Sequence, residues 1–258
     1  MNVKCIGSSS SGNCYIMTFA TPDGGYKKNI MVECGFQKKE ILKRSVLNNA
    51  TDDISKVCAI LITHNHGDHC CGLKGFSGLC KVFATKEVFE KFDNKILLKN
   101  EIVADNDYCI APDLYIHTFN VEHDAPNSIG FIIYCKQTNE SVLFVNDCKY
   151  IKADLTSFKF TYIFIECNYM DKQVRTLYSH AMDNNDRLTA AQYKRVIDVH
   201  MSLAITKKIL NNLNLSKCKA IFLMHLSDRH ANEYIMKKEI KDLVHVPVFV
   251  CQKGGGIK

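Results

Sequence analysis

Short apolar runs punctuate a chain that is otherwise polar. Val57–Thr63, Ile129–Tyr134, Val142–Val145, Tyr162–Ile165, Ala220–Met224 and Val246–Val250 are rich in branched and aromatic side chains. Runs of this length without polar alternation predict strands buried on both faces. Leu114–Phe119, which contains His117, reads as a further strand. Helical spacing appears in Glu40–Leu47, Lys86–Phe92 and Leu203–Leu213. In the last of these Leu203, Thr206, Ile209, Leu210 and Leu213 share one face, and Ser202 stands where an N-cap belongs. Strands mixed with helices predict a layered α/β protein.

Four of these strands deliver a histidine or carboxylate just beyond their carboxyl ends: His64, Asp147, Glu166 and His225. Layered α/β proteins place their sites at such ends. The strongest signal is Thr63-His64-Asn65-His66-Gly67-Asp68-His69, which contains H-x-H-x-D-H. Alternate residues of an extended turn point the same way, so His64 and His66 can grip one metal ion. Asp68 and His69 then reach towards a second. His123 is the expected third ligand of the first ion and His225 completes the second, with Asp147 bridging both. Imidazoles with carboxylates suit Zn²⁺, with Mn²⁺ or Fe as competitors. Glu33 is placed to accept a hydrogen bond from a ligand imidazole. His200 and Ser202 precede the Leu203 helix, whose free N–H groups suit a phosphate, so His200 is expected at a substrate phosphate or a leaving group. The polar, glycine-bearing turn Ser8–Asn13 is a second approach to the site.

Composition narrows the class. The chain has 258 residues, 47% hydrophobic and 23% charged, which excludes disordered and fibrous proteins. No Pro/Gly/Ser linker divides it, so residues 1–258 read as one domain. No run approaches about 18 apolar residues, and the N-terminal segment is too short in apolar length for a signal peptide, which favours the cytosol. The 13 cysteines are scattered, odd in number and free of C-x-x-C, as reduced packing thiols would be. A net charge of +6 permits a phosphate-bearing ligand, although Lys and Arg are spread along the chain rather than clustered.

These residues resemble the metallo-β-lactamase superfamily, and within it the YycJ/WalJ-type branch of metal-dependent nucleases. Gly7–Asn13 is similar to that branch's G-S-x-S-S-G-N turn, and His64–His69 to the superfamily motif. His123-Asp124-Ala125 resembles H-D-A, Val145-Asn146-Asp147 resembles V-T-D, and Glu166-Cys167-Asn168 resembles E-A-N. His200-Met201-Ser202 and His225-Leu226-Ser227 resemble its two H-L-S segments. The chain departs from the branch at Glu33 (usually Asp), Tyr169-Met170 (usually His-Asp), Cys148-Lys149 and Arg229-His230. The resemblance implies an αββα sandwich, two mixed sheets between helical layers. It implies two divalent ions, Zn²⁺ first and Mn²⁺ second, sharing a bridging hydroxide that Asp68 orients or deprotonates. Ser11, Asn13, Asn168 and Ser202 would meet substrate, and Glu166 would join Glu33 behind the ligands.

The activity so implied is phosphodiester hydrolysis, first as a DNA exonuclease-like nuclease. The alternative is a phosphodiesterase for 3′,5′-cyclic mononucleotides, as in phage members that degrade such signals, with Tyr150, Tyr169 and Tyr178 as candidates to stack on the base. Thioester or lactam hydrolysis ranks third, because Asp68 followed by His69 and the nuclease-like later motifs argue against it. The expected partner is a phosphodiester substrate, DNA or cyclic nucleotide, with no membrane. A homodimer is compatible with the resemblance, and the expected compartment is the cytoplasm, the host's if a phage encodes the chain.

Overall fold

Residues 1–258 are described by a computed structural model, in which the apolar runs build two sheets. The first sheet takes β1 (Asn2–Ser9), β2 (Gly12–Ala20), β3 (Lys27–Val32), β4 (Val57–Leu61), β5 (Lys81–Ala84) and β6 (Lys99–Glu101) in sequence order. It is antiparallel up to β3 and parallel from β3 to β6. The second holds β7 (Asp107–Ala111), β8 (Leu114–Glu122), β9 (Ile129–Cys135), β10 (Glu140–Val145), β11 (Tyr150–Ile151), β12 (Tyr162–Glu166), β13 (Ala220–Met224) and β14 (Val248–Val250). Its order is β11-β8-β9-β10-β12-β13-β14, with β7 against β8; β10, β12, β13 and β14 run parallel.

The continuous apolar runs follow from burial on both strand faces. Ile60 and Ile62 pack outward beneath α1 (Lys38–Leu47), α2 (Thr51–Ser55), α3 (Gly67–Cys70), α4 (Leu73–Phe76) and α5 (Lys86–Glu90), while Leu61 packs inward. Between the sheets Tyr15 meets Phe144 edge-on at 5.5 Å, and Phe164 stacks on Phe222 at 4.4 Å. Each such ring contributes about 1.5–3 kcal/mol on leaving water. Outside the second sheet, α8 (Leu203–Asn212) and α9 (Glu233–Val244) bury Leu203, Leu210, Met236, Ile240 and Val244. The layers are thus helix, sheet, sheet, helix, as expected. A hairpin of α6 (Asp171–Asp183) and α7 (Arg187–Val199) lies beyond them and buries just Val174, Ala181, Ala190 and Val199.

Some boundaries differ from the sequence reading. The strand from Val57 stops at Leu61, and Thr63 turns its carbonyl to Ile129 N (3.1 Å) in the other sheet. The strand read from Val246 begins at Val248, because His245 is left-handed (φ 55) and Pro247 has no N–H to donate. The Lys86 helix stops at Glu90. All 13 cysteines are free thiols, nine of them buried. No helix is long and apolar enough to cross a membrane.

Candidate metal centre

The carboxyl ends of β3, β4, β10, β12 and β13 converge at one end of the sandwich and carry Glu33, the His64–His69 loop, Asp147, Glu166 and His225. Backbone contacts hold this end tight. Cys34 N donates to His69 O (2.7 Å), and Gly35 N to Asn13 O (2.9 Å). A Cβ on Gly35 would stand 1.7 Å from Asp68 O, so only glycine lets the β3 end lie this close to the loop.

The structure brings every expected metal ligand together. His64, His66, His123 and Asp147 form one donor set, and Asp68, His69, Asp147 and His225 a second, each within 4.8 Å. Asp147 Oδ2 is common to both. It lies 3.9 Å from His64 Nε2, 3.3 Å from His69 Nε2, 3.8 Å from His123 Nε2 and 4.0 Å from His225 Nε2. Asp68 Oδ2 lies 3.4 Å from His69 Nε2 and 3.8 Å from His225 Nε2.

These residues fit divalent ions. Nε2 of His64 and of His225 are buried, face the cluster and have no hydrogen-bond partner. His66 Nδ1 and His123 Nε2 stand 3.1 Å apart, close to the roughly 3.4 Å between two donors on one tetrahedral zinc at about 2.1 Å. Burial, reinforced by neighbouring imidazoles, holds His64 well below its usual pKa, and burial also lowers His123; both are neutral rings with a lone pair to give. Burial also opposes a charge on His69, but Glu33, Asp147 and Asp68 outweigh it and lift that ring well above its usual range. His225 is lifted to about 9, chiefly by Asp147, against the same burial. The carboxylates thus outnumber the fixed positive charge and draw cations, protons or metal ions, onto the cluster.

Behind the ligands, the two carboxylates expected there orient the rings. Glu33 Oε1 accepts from Thr63 Oγ1 (2.6 Å) and lies 3.3 Å from His69 Nδ1. Thr63 Oγ1 in turn lies 2.9 Å from His64 Nδ1, which leaves Nε2 of that ring for the metal. Glu166 Oε2 accepts from Cys148 N (2.7 Å), and its Oε1 lies 2.8 Å from His200 Nδ1 and 3.4 Å from His225 Nδ1. Asp147 Oδ1 also meets His200 Nδ1 at 2.8 Å. Burial disfavours a charged His200, yet Glu166 and Asp147 raise it to about 10. Ser8 Oγ accepts from Tyr15 Oη (2.7 Å) and His225 N (2.9 Å), pinning the two sheets at the site.

The residues expected at substrate divide. Asn168 and His200 line a cavity of about 340 Å³ beside the cluster. Asn13 is fully buried instead, donating to Ser9 O (3.0 Å) and contacting His69 Nε2 (3.3 Å). Ser202 is also fully buried, its Oγ spent on Ile205 N as the α8 N-cap. Ser11 is exposed on the β1–β2 turn and Ser10, not Ser11, reaches the cavity. None of the three tyrosines proposed to stack lines it: Tyr169 is buried, Tyr150 sits on β11 and Tyr178 on α6. Tyr193 does, with Gln192, Arg195, Arg229 and His230. Sequence reading missed Gln192, Tyr193 and Arg195 because α7, although amphipathic, buries just Ala190 and Val199 and is polar on average, so no unbroken apolar run marks it. The Arg229-His230 departure from the branch pattern was the one signal available. Cys70 and Cys148 are buried, and burial pushes the Cys70 thiol up to about 12, as befits packing.

Residues 28–226 match the Beta-lactamase superfamily domain. No curated protein matches the sequence. Among solved structures, the metallo-beta-lactamase fold protein YhfI from Bacillus subtilis superposes with a TM-score of 0.70 at 15% identity, covering 99% of this chain and 98% of that one. Human tRNase Z, short form, gives 0.66 at 14% identity, covering 100% and 98%. Unliganded yeast PDE1 gives 0.63 at 11% identity, covering 99% and 98%. At these identities the likeness is one of fold.

Proposed function

We propose that the chain, which belongs to the Beta-lactamase superfamily, is a metal-dependent phosphodiesterase. The observation that carries this reading is Asp147 Oδ2, within 4.0 Å of an Nε2 in each of four imidazoles drawn from two donor sets. Bound at those sets, a pair of divalent ions supplies a nucleophile from water at neutral pH and neutralises phosphoryl charge. His64, His66 and His123 would hold one ion, Asp68, His69 and His225 the other, with Asp147 shared. Asp68, partly exposed, is placed to orient the attacking water and accept its proton. His200, anchored through Nδ1 to Glu166 and Asp147, stands at the cavity wall as a cation for a phosphoryl oxygen or as proton donor to the leaving oxygen.

The solved neighbours include tRNase Z and a diphosphatase of the PhnP family, whose activities are in keeping with a phosphate-ester substrate. Within this reading the YycJ/WalJ-type, DNA exonuclease-like activity stands first. Hydrolysis of 3′,5′-cyclic mononucleotides stands second, favoured by the small cavity with an aromatic wall.

The test incubates protein loaded with Zn²⁺ or Mn²⁺, beside a His64→Ala control, with end-labelled DNA, with cyclic mononucleotides and with a thioester and a lactam. Phosphodiester cleavage that falls at least about a hundredfold in the control is expected. Turnover of the thioester or lactam with both phosphodiesters intact would overturn the reading. Cyclic-nucleotide opening with intact DNA replaces the nuclease by the second activity.

A further inference from the structure

The cavity beside the cluster has walls that the mechanism above does not use. Arg195 and Tyr193 come from α7, Arg229 and His230 from the loop after β13. Arg195 Nη2 is 3.2 Å from Asp124 Oδ2, which ties α7 to the residue after His123, and its guanidinium has further donors free of that pair. Arg229 is exposed and also lines the cavity. Tyr193 and His230 meet edge-to-face at 5.5 Å and 69°. The His230 backbone is fixed at both ends, N–H to Ser227 Oγ (3.3 Å) and O from Met170 N (2.9 Å). Its ring nitrogen Nδ1 is nevertheless buried without a partner. Burial, with Arg229 beside it, keeps this ring below its usual pKa, so it is a neutral group able to donate or accept.

Two arginine forks, an aromatic face and a neutral imidazole ring around one small cavity are the chemistry of a nucleotide site. Planar guanidinium groups match phosphate oxygens, and aromatic faces take bases of any identity. At about 340 Å³ the cavity lies near the low end of the roughly 300–1,000 Å³ of small-molecule pockets, which suits one nucleotide and not an oligonucleotide.

We propose that this cavity is the recognition site for a single nucleoside monophosphate unit, with Arg195 and Arg229 on its phosphate and Tyr193 and His230 on its base. It deepens the phosphodiesterase reading and rests on it in one respect, that the bound unit is part of the substrate. The unit is a whole small substrate or the terminal residue of a strand; the two share this chemistry.

Calorimetric titration of the zinc-loaded full chain with 5′-AMP, adenosine and ribose 5-phosphate tests it. Binding of 5′-AMP is expected. Arg195→Ala and Arg229→Ala should each weaken 5′-AMP and ribose 5-phosphate at least about tenfold and spare adenosine. Tyr193→Ala should weaken 5′-AMP and adenosine by a similar factor and spare ribose 5-phosphate, and Tyr193→Phe should restore 5′-AMP to within about twofold. Zinc content and thermal unfolding of each variant identify any that fails to fold, and the Tyr193→Phe comparison then decides. No 5′-AMP binding at millimolar concentration, or binding that needs zinc but neither arginine, overturns the proposal. Hydrolysis of bis(p-nitrophenyl) phosphate is followed separately. The expected binding pattern without hydrolysis leaves the pocket and removes the proposed activity, and hydrolysis without 5′-AMP binding does the reverse.

Discussion

Glu33 shows how much one buried side chain arranges. It has no solvent exposure and left-handed backbone (φ 64), a conformation that costs a non-glycine residue on the order of 1–3 kcal/mol. Asp147 (φ 51) and His225 (φ 56) share it, so three residues at one site hold strained backbone that the surrounding packing enforces. Through Thr63 and directly, the Glu33 carboxylate faces a ring nitrogen in each donor set. Glu33→Gln keeps the size and removes the charge, and should lower metal affinity about 10–100-fold. Competition against a chromogenic chelator measures this, and an unchanged affinity would reduce Glu33 to packing. The clustering of His64, His66, Asp68 and His69 was legible because H-x-H-x-D-H is local: its meaning lies in the alternation of adjacent residues. Asn13 and Ser202 misled the sequence reading for the opposite reason. Both are polar residues near the site, and burial turns their polar groups to backbone and ring partners rather than to substrate.

At the scale of elements, close approach separates two glycines of the site. Gly35→Ala would drive a Cβ into the Asp68 carbonyl, and backbone cannot yield as a side-chain tip does. About 3 kcal/mol or more of lost stability is expected, with reduced zinc content. Gly67, first residue of α3, has nothing within 4 Å of the added carbon, so Gly67→Ala should stay within about 0.5 kcal/mol. Thermal unfolding of the pair checks both, and equal effects would contradict the packing argument. Ser202→Ala removes the α8 N-cap and should cost about 1 kcal/mol without raising KM. A raised KM would return Ser202 to the substrate. Strands such as Ala220–Met224 were legible because both faces are buried, so their apolar runs are unbroken. The α6–α7 hairpin was not, because its 13-residue helices bury two residues each and leave apolar side chains such as Met182 and Leu188 exposed among polar ones. The cavity wall formed by Tyr193 and Arg195 was hidden with it.

Across the whole molecule, each donor set draws side chains from both sheets. His64, His66 and His69 follow β4 of the first sheet, whereas His123, Asp147 and His225 follow β8, β10 and β13 of the second. An ion held by both is a cross-link present only in the folded chain, since the unfolded chain scatters these ligands over the sequence from His64 to His225. Ions at a hundredfold excess over their Kd stabilise the native state by about 2.7 kcal/mol per site. For a chain of this size each kcal/mol is worth about 2–4 °C, so stripping one site with a chelator should lower Tm by about 5–10 °C, and more if both ions leave. Readdition of Zn²⁺ or Mn²⁺ should restore it. In Asp147→Asn both donor sets lose their shared charge, so the chelator should have little left to remove: the variant's Tm should lie near that of stripped wild type whether or not metal is present. A chelator shift that survives Asp147→Asn in full would show that the ions are held without the shared carboxylate. The two sets would then be independent sites rather than one bridged centre.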